Sequence, residues 1–183
     1  LEAGITVADV GCGHGHSTLL MAEAFPESRF RGFDVHPASV EAARRNAAEV
    51  GLDGRVSFDV APASGFPGES YGLICFFDAL HDMGDPLGAA RQAARALAPD
   101  GTVMLIEPFA NDRVEDNVSP VARLYYSASA ALCCANAIAD GGRLVLGAQA
   151  GEARLVDVFR KAGFARFRRA SETPFNLILE ARR

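Results

Sequence analysis

Short β-rich runs alternate with stretches of helical length over much of this chain. The β-rich runs are Ile5–Val10, Arg29–Asp34, Arg55–Val60, Tyr71–Phe77 and Thr102–Glu107. Helices are predicted over Ser17–Phe25, Pro37–Val50 and Pro86–Ala98, and a turn over Pro99–Gly101. Crossovers of helical length place successive strands parallel, with helices on both faces of the sheet. The alternation therefore predicts an α/β fold.

The alternation of predicted strands and helices stops after Phe109. A helix is predicted over Pro120–Cys134, inside the segment 109–150, which we interpret as an insertion. Alternation resumes with a predicted helix over Glu152–Ala162 and strands over Ala165–Ala170 and Phe175–Ala181. The link between these two strands is short enough for a hairpin, so the last strand is expected to be antiparallel to its neighbour.

Length and charge exclude several classes of protein. The 183 residues favour one domain, over 1–183, and a net charge of −5 argues against a nucleic-acid partner. The longest apolar runs fall short of the ~18 residues of a membrane span, so no membrane partner is expected. No signal peptide is visible, which favours a cytoplasmic protein. Because Leu1 is not Met and a strand follows almost at once, we expect a fragment whose earlier residues are missing.

The cysteines and histidines predict no metal site. Four cysteines, at positions 12, 75, 133 and 134, lack C-x-x-C spacing and are interpreted as reduced, mostly buried thiols. His14, His16 and His36 all lie near the ends of the first two strands. Their spacing and the absence of companion glutamates argue against a metal triad.

A glycine loop follows the first strand, where ligands bind in parallel α/β sheets. Gly11, Gly13 and Gly15 let the backbone turn tightly, whereas a dinucleotide fingerprint needs glycine at the position of His16. Asp9 precedes the loop and suits a cofactor with an ammonium group. Asp34, at the end of the second strand, suits two ribose hydroxyls. The alternatives are an ordinary tight turn for the loop and an acid at a helix N-terminus for Asp34.

These motifs resemble those of class I S-adenosylmethionine-dependent methyltransferases. The segment 7–15 is similar to their cofactor loop, Phe33–Asp34 to their ribose-binding acid, 55–61 to their third strand and the start of the adenine loop, and 97–102 to the turn before their fifth strand. The resemblance covers essentially the whole chain. It implies a Rossmann-like three-layer α/β/α sandwich whose seven-stranded sheet has the order 3-2-1-4-5-7-6, with strand 7 antiparallel.

The resemblance also implies the cofactor, S-adenosylmethionine, and its binding residues. These are Asp9, Gly11, Cys12, Gly13, His14, Gly15, Asp34, Val35, Ala61 and Asp78. One departure concerns the adenine loop, where many members carry an acid and this chain has Ala61-Pro62-Ala63-Ser64. Backbone groups or the Ser64 side chain would have to bind adenine instead.

The run Leu80-His81-Asp82 resembles the Leu-His-Asp-Trp run of small-molecule O-methyltransferases, with Met83 in place of Trp. In that group the histidine is the general base, so His81 becomes the candidate. The resemblance implies Glu107 and Glu152 as its partner carboxylates. The alternatives are a cap or surface histidine for His81 and an end-of-strand acid for Glu107, while Asp82 is interpreted as a cap or support.

The predicted function is methyl transfer to a small organic acceptor, most favourably to a hydroxyl. The chain lacks the Asn/Asp-Pro-Pro-Tyr signature of nucleic-acid and protein amine methylators. The insertion 109–150 is expected on the acceptor side, where Phe109, Tyr125, Tyr126 and Leu132 would form a wall; alternatively its helix packs Leu124 and Leu132 on the core.

Two rival functions stay open. One is a non-catalytic S-adenosylmethionine-binding module, either a sensor or a partner subunit. The other is a nicotinamide oxidoreductase, which His16 disfavours. Similar small-molecule methyltransferases carry an N-terminal winged-helix domain that forms the dimer, so a homodimer through such a missing domain is expected.

Overall fold

The computed structural model describes residues 1–68 and 70–183. Seven strands form one sheet in the order β3-β2-β1-β4-β5-β7-β6. Their bounds are β1 Thr6–Val10, β2 Arg29–Asp34, β3 Val56–Val60, β4 Tyr71–Phe77, β5 Leu97–Pro108, β6 Arg166–Glu172 and β7 Asn176–Arg182. β7 pairs antiparallel with both β5 and β6, and the other pairs are parallel. The predicted strand order and the antiparallel last strand are confirmed.

Helices cover both faces of this sheet. They are α1 His16–Ala24, α2 Pro37–Glu49, α3 Pro86–Ala96, α4 Pro120–Ala128, α5 Cys134–Ala139 and α6 Gly151–Lys161. The buried side chains of α1 and α2 pack on one face, and those of α3 and α6 pack on the other. Successive residues of β4 alternate between the two cores, since Ile74 and Phe76 belong to one and Cys75 to the other. The predicted three-layer α/β/α sandwich is therefore confirmed.

The fifth strand corrects one prediction. The turn expected at Pro99–Gly101 lies within β5, which begins at Leu97. Tyr71 of β4 pairs with Leu97, but Leu73 pairs with Thr102, so β5 carries three more residues than β4 over this stretch. The turn-forming residues therefore make a bulge that the ladder accommodates.

The insertion 109–150 is mostly helical, and its helix is longer than predicted. α4 begins at Pro120, where the Ser119 hydroxyl accepts a hydrogen bond from the Ala122 amide at 3.0 Å. A π-helical turn over Ser129–Cys133 follows, and α5 continues to Ala139. Among the described residues, no helix is both long enough and apolar enough to cross a membrane.

Candidate active site

A cavity of about 550 Å³ opens where the carboxyl ends of the central parallel strands meet. Of the residues predicted to bind the cofactor, Gly11, Asp34, Val35, Ala61 and Asp78 line it. They come from the ends of, or the loops after, β1, β2, β3 and β4. This is the position that parallel α/β sheets use for ligands, because their strand ends leave a crevice where the strand order reverses.

The glycine loop is held against the end of β2. The amides of Gly11 and Cys12 both donate to the Phe33 carbonyl, at 2.8 and 3.1 Å. Beyond them, the Gly13 amide donates to Asp34 Oδ2 at 2.9 Å, and the His36 amide donates to Asp34 Oδ1 at 2.9 Å. Each carboxylate oxygen keeps a further lone pair, so Asp34 is oriented and can still accept hydroxyl donors.

Asp9 ties the loop to the first turn of α1. Its Oδ2 accepts hydrogen bonds from Ser17 Oγ and Thr18 Oγ1, both at 2.6 Å, while Oδ1 is buried without a hydrogen-bond partner among the described residues. Burial raises the pKa of Asp9, and the two hydroxyl hydrogen bonds oppose that rise. The structure thus gives Asp9 a supporting position, and its contact with a cofactor stays a prediction.

The other predicted loop residues differ in burial and in the space around them. Gly13 has φ +54°, and a Cβ added there would meet nothing within 4 Å, so its backbone is open to a ligand. Gly15 has φ +79°, and a Cβ there would lie 2.5 Å from the Phe58 ring. Cys12 is buried in the core beside α1 and α2, whereas His14 is exposed. The Cys12 amide donates to Phe33, its carbonyl accepts from Gly15, and Cys12 does not line the cavity.

His81 is buried, and its ring is fixed by a carboxylate from the next strand. It lies in a 3-10 turn over Leu80–Asp82, directly after β4, and is 4% exposed. Its Nδ1 is 2.6 Å from Glu107 Oε2, and Glu107 Oε1 accepts from the Leu80 amide at 3.0 Å. Burial lowers the pKa of His81, but the hydrogen bond and charge of Glu107, with the charges of Asp82 and Asp78, outweigh it and raise that pKa above its ordinary value.

The Glu107 carboxylate is itself enclosed, at 2% exposed. Burial raises its pKa, while the hydrogen bonds from His81 and Leu80 oppose the rise. Oε1 accepts from the Leu80 amide, and Oε2 is placed to accept from His81 when that ring carries its proton on Nδ1. The neutral imidazole then carries its lone pair on Nε2.

Two side chains surround Nε2. Asp82 Oδ1 lies 3.2 Å from it, and Asp82 lines the cavity. Cys133, at the end of the π-helical turn, brings its sulfur within 4.8 Å of a ring nitrogen of His81 and a carboxylate oxygen of Asp82. Burial, together with the neighbouring Asp82 carboxylate, raises the pKa of Cys133 to about 12, so this side chain is a thiol.

The resemblance implied that Glu152 is a partner of His81, but in the structure Glu152 pairs with Arg169. Glu152, in the first turn of α6, accepts a hydrogen bond from Arg169 Nε of β6 at 2.7 Å. Of the two predicted partner carboxylates, the structure brings Glu107 to His81 and directs Glu152 to Arg169.

None of the four residues predicted to form the acceptor wall, Phe109, Tyr125, Tyr126 and Leu132, lines this cavity. Leu124 and Leu132 are 65% and 67% exposed, so the interpretation that they pack on the core is wrong. The Tyr125 hydroxyl donates to the Phe175 carbonyl at 3.0 Å, and Phe109 packs against the core. The insertion instead contributes other residues to the cavity lining: Asn136, Asp140 and Gly141.

The sequence analysis did not identify these lining residues, nor the place of Cys133. The helix was predicted to end at Cys134. It continues to Ala139, and the lining residues of this segment come after the predicted end. Asn136 Nδ2 donates to the Asp82 carbonyl at 3.2 Å and thereby fixes α5 against the turn that carries His81.

The cavity fits the cofactor that the motifs imply. Its volume of about 550 Å³ is within the ~300–1,000 Å³ usual for cofactor sites. Asp34 retains acceptor capacity beside an open Gly13 backbone, and the cavity is lined by the carboxylates of Asp34, Asp78, Asp82, Asp85 and Asp140. Negative charge at this wall suits a sulfonium and an ammonium group. Fold and site together define an S-adenosylmethionine-binding domain of the Rossmann-like class.

Comparison with known proteins gives the family. A model described as "Methyltransferase domain" matches residues 1–163, and the chain belongs to that family of S-adenosylmethionine-dependent methyltransferases. The 27-O-demethylrifamycin SV methyltransferase of Amycolatopsis mediterranei (strain S699) is 35% identical over 107 residues, which are 57% of this chain and 39% of that relative.

Solved structures establish the fold. The mitomycin 7-O-methyltransferase MmcR superposes with a TM-score of 0.77 at 20% identity, over all of this chain and 50% of that one. NcsB1, an O-methyltransferase from neocarzinostatin biosynthesis in complex with S-adenosyl-L-homocysteine and 1,4-dihydroxy-2-naphthoic acid, superposes with a TM-score of 0.73 at 23% identity, over 97% of this chain and 48% of that one. The chain thus spans about half the length of these structures.

Proposed function

We propose that this domain transfers the methyl group of S-adenosylmethionine to a hydroxyl oxygen of a small organic molecule, with His81 as the general base. The observation that carries the proposal is the 2.6 Å contact between His81 Nδ1 and Glu107 Oε2. A carboxylate at Nδ1 fixes the tautomer in which Nε2 is the proton acceptor, and Nε2 lies beside the cavity-lining Asp82.

Different residues of the chain would bind the cofactor and accept the proton. S-adenosylmethionine supplies, when bound, a methyl group on a sulfonium centre that is open to in-line attack. Asp34 and the Gly13 backbone would hold the nucleoside end, and His81 Nε2 would take the proton from the acceptor O–H as that oxygen bonds to the methyl carbon. Glu107 would stabilise the resulting imidazolium. Alignment of the acceptor is the main requirement of such a displacement.

The names of similar proteins support a small hydroxyl-bearing acceptor. The relative from Amycolatopsis is named for 27-O-demethylrifamycin SV, and MmcR for methylation at the 7-O position of mitomycin. NcsB1 was solved with a dihydroxynaphthoic acid. We infer that the acceptor here is a small aromatic or polyketide-like hydroxyl compound, and that the insertion 109–150 forms its side of the cavity through Asn136, Asp140 and Gly141.

The test is transfer of a labelled methyl group from S-adenosylmethionine to a panel of phenolic and polyketide-type hydroxyl compounds, with the parent protein and the His81→Gln variant. We expect product with the parent and a kcat lower by about 10²–10⁴-fold in the variant, the usual contribution of a general base. Calorimetry with S-adenosylhomocysteine should give the same affinity for both proteins.

Other outcomes separate the rival functions. Undiminished turnover in the His81→Gln variant contradicts the base assignment. Tight S-adenosylhomocysteine binding with no transfer to any acceptor class favours a non-catalytic binding module. His16→Gln is the matched control, because His16 is exposed at the start of α1 and, among the described contacts, has no carboxylate partner.

A further inference from the structure

Three metal-binding types of side chain meet beside the candidate base. One ligand atom each from His81, Asp82 and Cys133 lies within 4.8 Å of the other two. His81 and Cys133 are 4% and 8% exposed, and Asp82 Oδ1 is buried as an atom with no hydrogen-bond partner among the described residues. The sequence analysis expected no metal site from the spacing of the cysteines and of His14, His16 and His36, and did not consider this group.

His81 Nε2 and Asp82 Oδ1 lie close together beside the cavity. In the tautomer that donates its Nδ1 proton to Glu107, the neutral ring has its lone pair on Nε2. That atom is 3.2 Å from Asp82 Oδ1, yet the two atoms are not aligned for a hydrogen bond. A cation bound by both Nε2 and Asp82 Oδ1 would give these two buried atoms a common partner.

The arrangement behind His81 is the one that supports metal-binding imidazoles. A histidine that binds a metal through one nitrogen usually donates its other N–H to a carboxylate, which fixes the ring. Glu107 occupies that position here at 2.6 Å. With bonds of ~2.0–2.3 Å, ligand atoms around a tetrahedral zinc stand about 3.3–3.8 Å apart, a spacing that the three side chains can reach with small adjustments.

We propose that His81 Nε2, Asp82 Oδ1 and Cys133 Sγ form a site for a divalent cation of the zinc class, with its fourth position toward the cavity. A donor set of imidazole, carboxylate and thiolate favours Zn²⁺ over Mg²⁺ or Ca²⁺, which take oxygen ligands. Binding converts the Cys133 thiol to a thiolate and releases one proton to the buffer. This sulfur belongs to the last residue of the π-helical turn over Ser129–Cys133.

A bound cation would regulate the site. This second part of the proposal rests on the proposed function, because the metal would occupy the Nε2 lone pair that has to receive the acceptor's proton. Zinc is therefore an inhibitor of methyl transfer that competes with deprotonation of the acceptor. S-adenosylhomocysteine binding, which relies on the Asp34 side of the cavity, should be unaffected by the metal.

The experiment titrates the purified, chelator-stripped protein with Co²⁺ and then displaces it with Zn²⁺. Tetrahedral Co²⁺ gives visible d–d bands, and a thiolate ligand adds a near-ultraviolet charge-transfer band. We expect one Co²⁺ per chain with both signals. Cys133→Ser should abolish the charge-transfer band and weaken binding at least tenfold. The matched control is Cys134→Ser, which should keep both signals, because the Cys134 sulfur lies 3.5 Å from Ser129 Oγ, outside the cluster.

Further variants and the activity assay keep the two proposals distinguishable. Asp82→Asn should also weaken Co²⁺ binding while its thermal midpoint without metal stays near that of the parent. Absence of stoichiometric Co²⁺ uptake, or a charge-transfer band that persists in Cys133→Ser, overturns the metal site. Failure of the metal-free protein to methylate any acceptor counts against the proposed function alone. If the metal-free protein turns over and bound Zn²⁺ leaves the rate unchanged, the regulatory part is wrong.

Discussion

Glu107, at the end of β5, holds His81, in the turn after β4, through a 2.6 Å contact between Oε2 and Nδ1. The two residues are 26 positions apart in the chain, and both are almost completely buried. The contact arises because β4 and β5 are parallel neighbours, which brings the residues that follow their carboxyl ends together. A pair of this kind is fixed by the sheet rather than by a mobile loop.

The Glu107→Gln variant should show whether Glu107, rather than Glu152, is the carboxylate that acts with His81. Gln keeps an acceptor for the Nδ1 proton but removes the charge that stabilises the imidazolium, so we expect kcat to fall by about 10–100-fold, a fraction of the effect of removing the base. The KM for S-adenosylmethionine should stay within twofold. Methyl-transfer kinetics with the best acceptor measure both constants.

Glu152→Gln is the matched variant. Its carboxylate pairs with Arg169, so we expect kcat within about twofold of the parent. If instead Glu152→Gln lowers kcat as much as Glu107→Gln does, the resemblance described this carboxylate better than the structure does.

The cases of Glu107 and Glu152 show what the sequence can and cannot predict. The parallel α/β class and the place of Asp34 follow from local signals, namely alternating periods, a glycine loop and an acid at a strand end, whereas the strand order was implied by the family resemblance. The pairing of Glu152 with Arg169 depends on how α6 lies against β6, and no local pattern encodes that packing. The structure brings Glu107 to His81 because neighbouring parallel strands place it, whereas Glu152 lies in α6, beyond the segment 109–150.

The segment 109–150 is a second case in which packing, and not a local sequence pattern, decides the structure. Pro120 and Ser119 mark the start of α4 because Pro suits the first helical turn and Ser caps it. No comparable signal marks the π-helical turn over Ser129–Cys133, since adding one residue to a helical turn is decided by packing. The cluster with Cys133 depends on how this helical segment packs against the turn that carries His81, so it could not be predicted from the sequence.

Asp34→Ala should weaken cofactor binding. Its carboxylate is oriented by the amides of Gly13 and His36 and has acceptor capacity left for ribose hydroxyls. We expect the Kd for S-adenosylhomocysteine to rise at least tenfold, which is about 1.4 kcal/mol. Calorimetry gives the value directly. Asp59→Ala serves as the control, because that acid of β3 pairs with Arg31 and does not line the cavity; an equal loss in both variants would remove the ribose role.

The stability of the Asp9→Asn variant should depend on pH. Burial raises the pKa of Asp9 in the folded protein, so its ionised form is disfavoured by folding. Near pH 7 the neutral Asn avoids that penalty, and we expect a higher thermal midpoint, by about 2–4 °C for each ~1 kcal/mol at this chain length. As the pH falls through the raised pKa toward the unfolded value of about 3.9, Asp9 itself becomes protonated and the advantage of Asn disappears.

A series of thermal melts of the ligand-free protein between neutral and acid pH tests whether the advantage of Asp9→Asn disappears as the pH falls. Ser17→Ala provides the opposite control, because it removes a hydroxyl that donates to Asp9 at 2.6 Å and should lower the midpoint near pH 7. A stability difference between Asp9→Asn and the parent that is constant with pH would show that Asp9 titrates alike in the folded and unfolded states.

Two glycines of the cofactor loop should respond differently to alanine. Both have positive φ, +54° at Gly13 and +79° at Gly15, so each Ala costs about 1 kcal/mol or more in backbone strain. At Gly15 the added Cβ would also lie 2.5 Å from the Phe58 ring and 3.0 Å from Ala43 Cβ, which forces the core apart. Gly15→Ala should therefore lose about 1–3 kcal/mol more stability than Gly13→Ala.

Urea unfolding of both variants, and of each combined with Phe58→Leu, measures this difference. The smaller Leu side chain should restore part of the stability of Gly15→Ala and none of that of Gly13→Ala, because only Gly15 faces the Phe58 ring. Cofactor binding should show the reverse order. Gly13→Ala puts a methyl group into the open space beside the amide that donates to Asp34, so we expect a weaker affinity for S-adenosylhomocysteine despite its milder effect on folding. Equal unfolding free energies for the two variants, with no recovery from Phe58→Leu, would contradict the assignment of Gly15 to packing and Gly13 to the ligand.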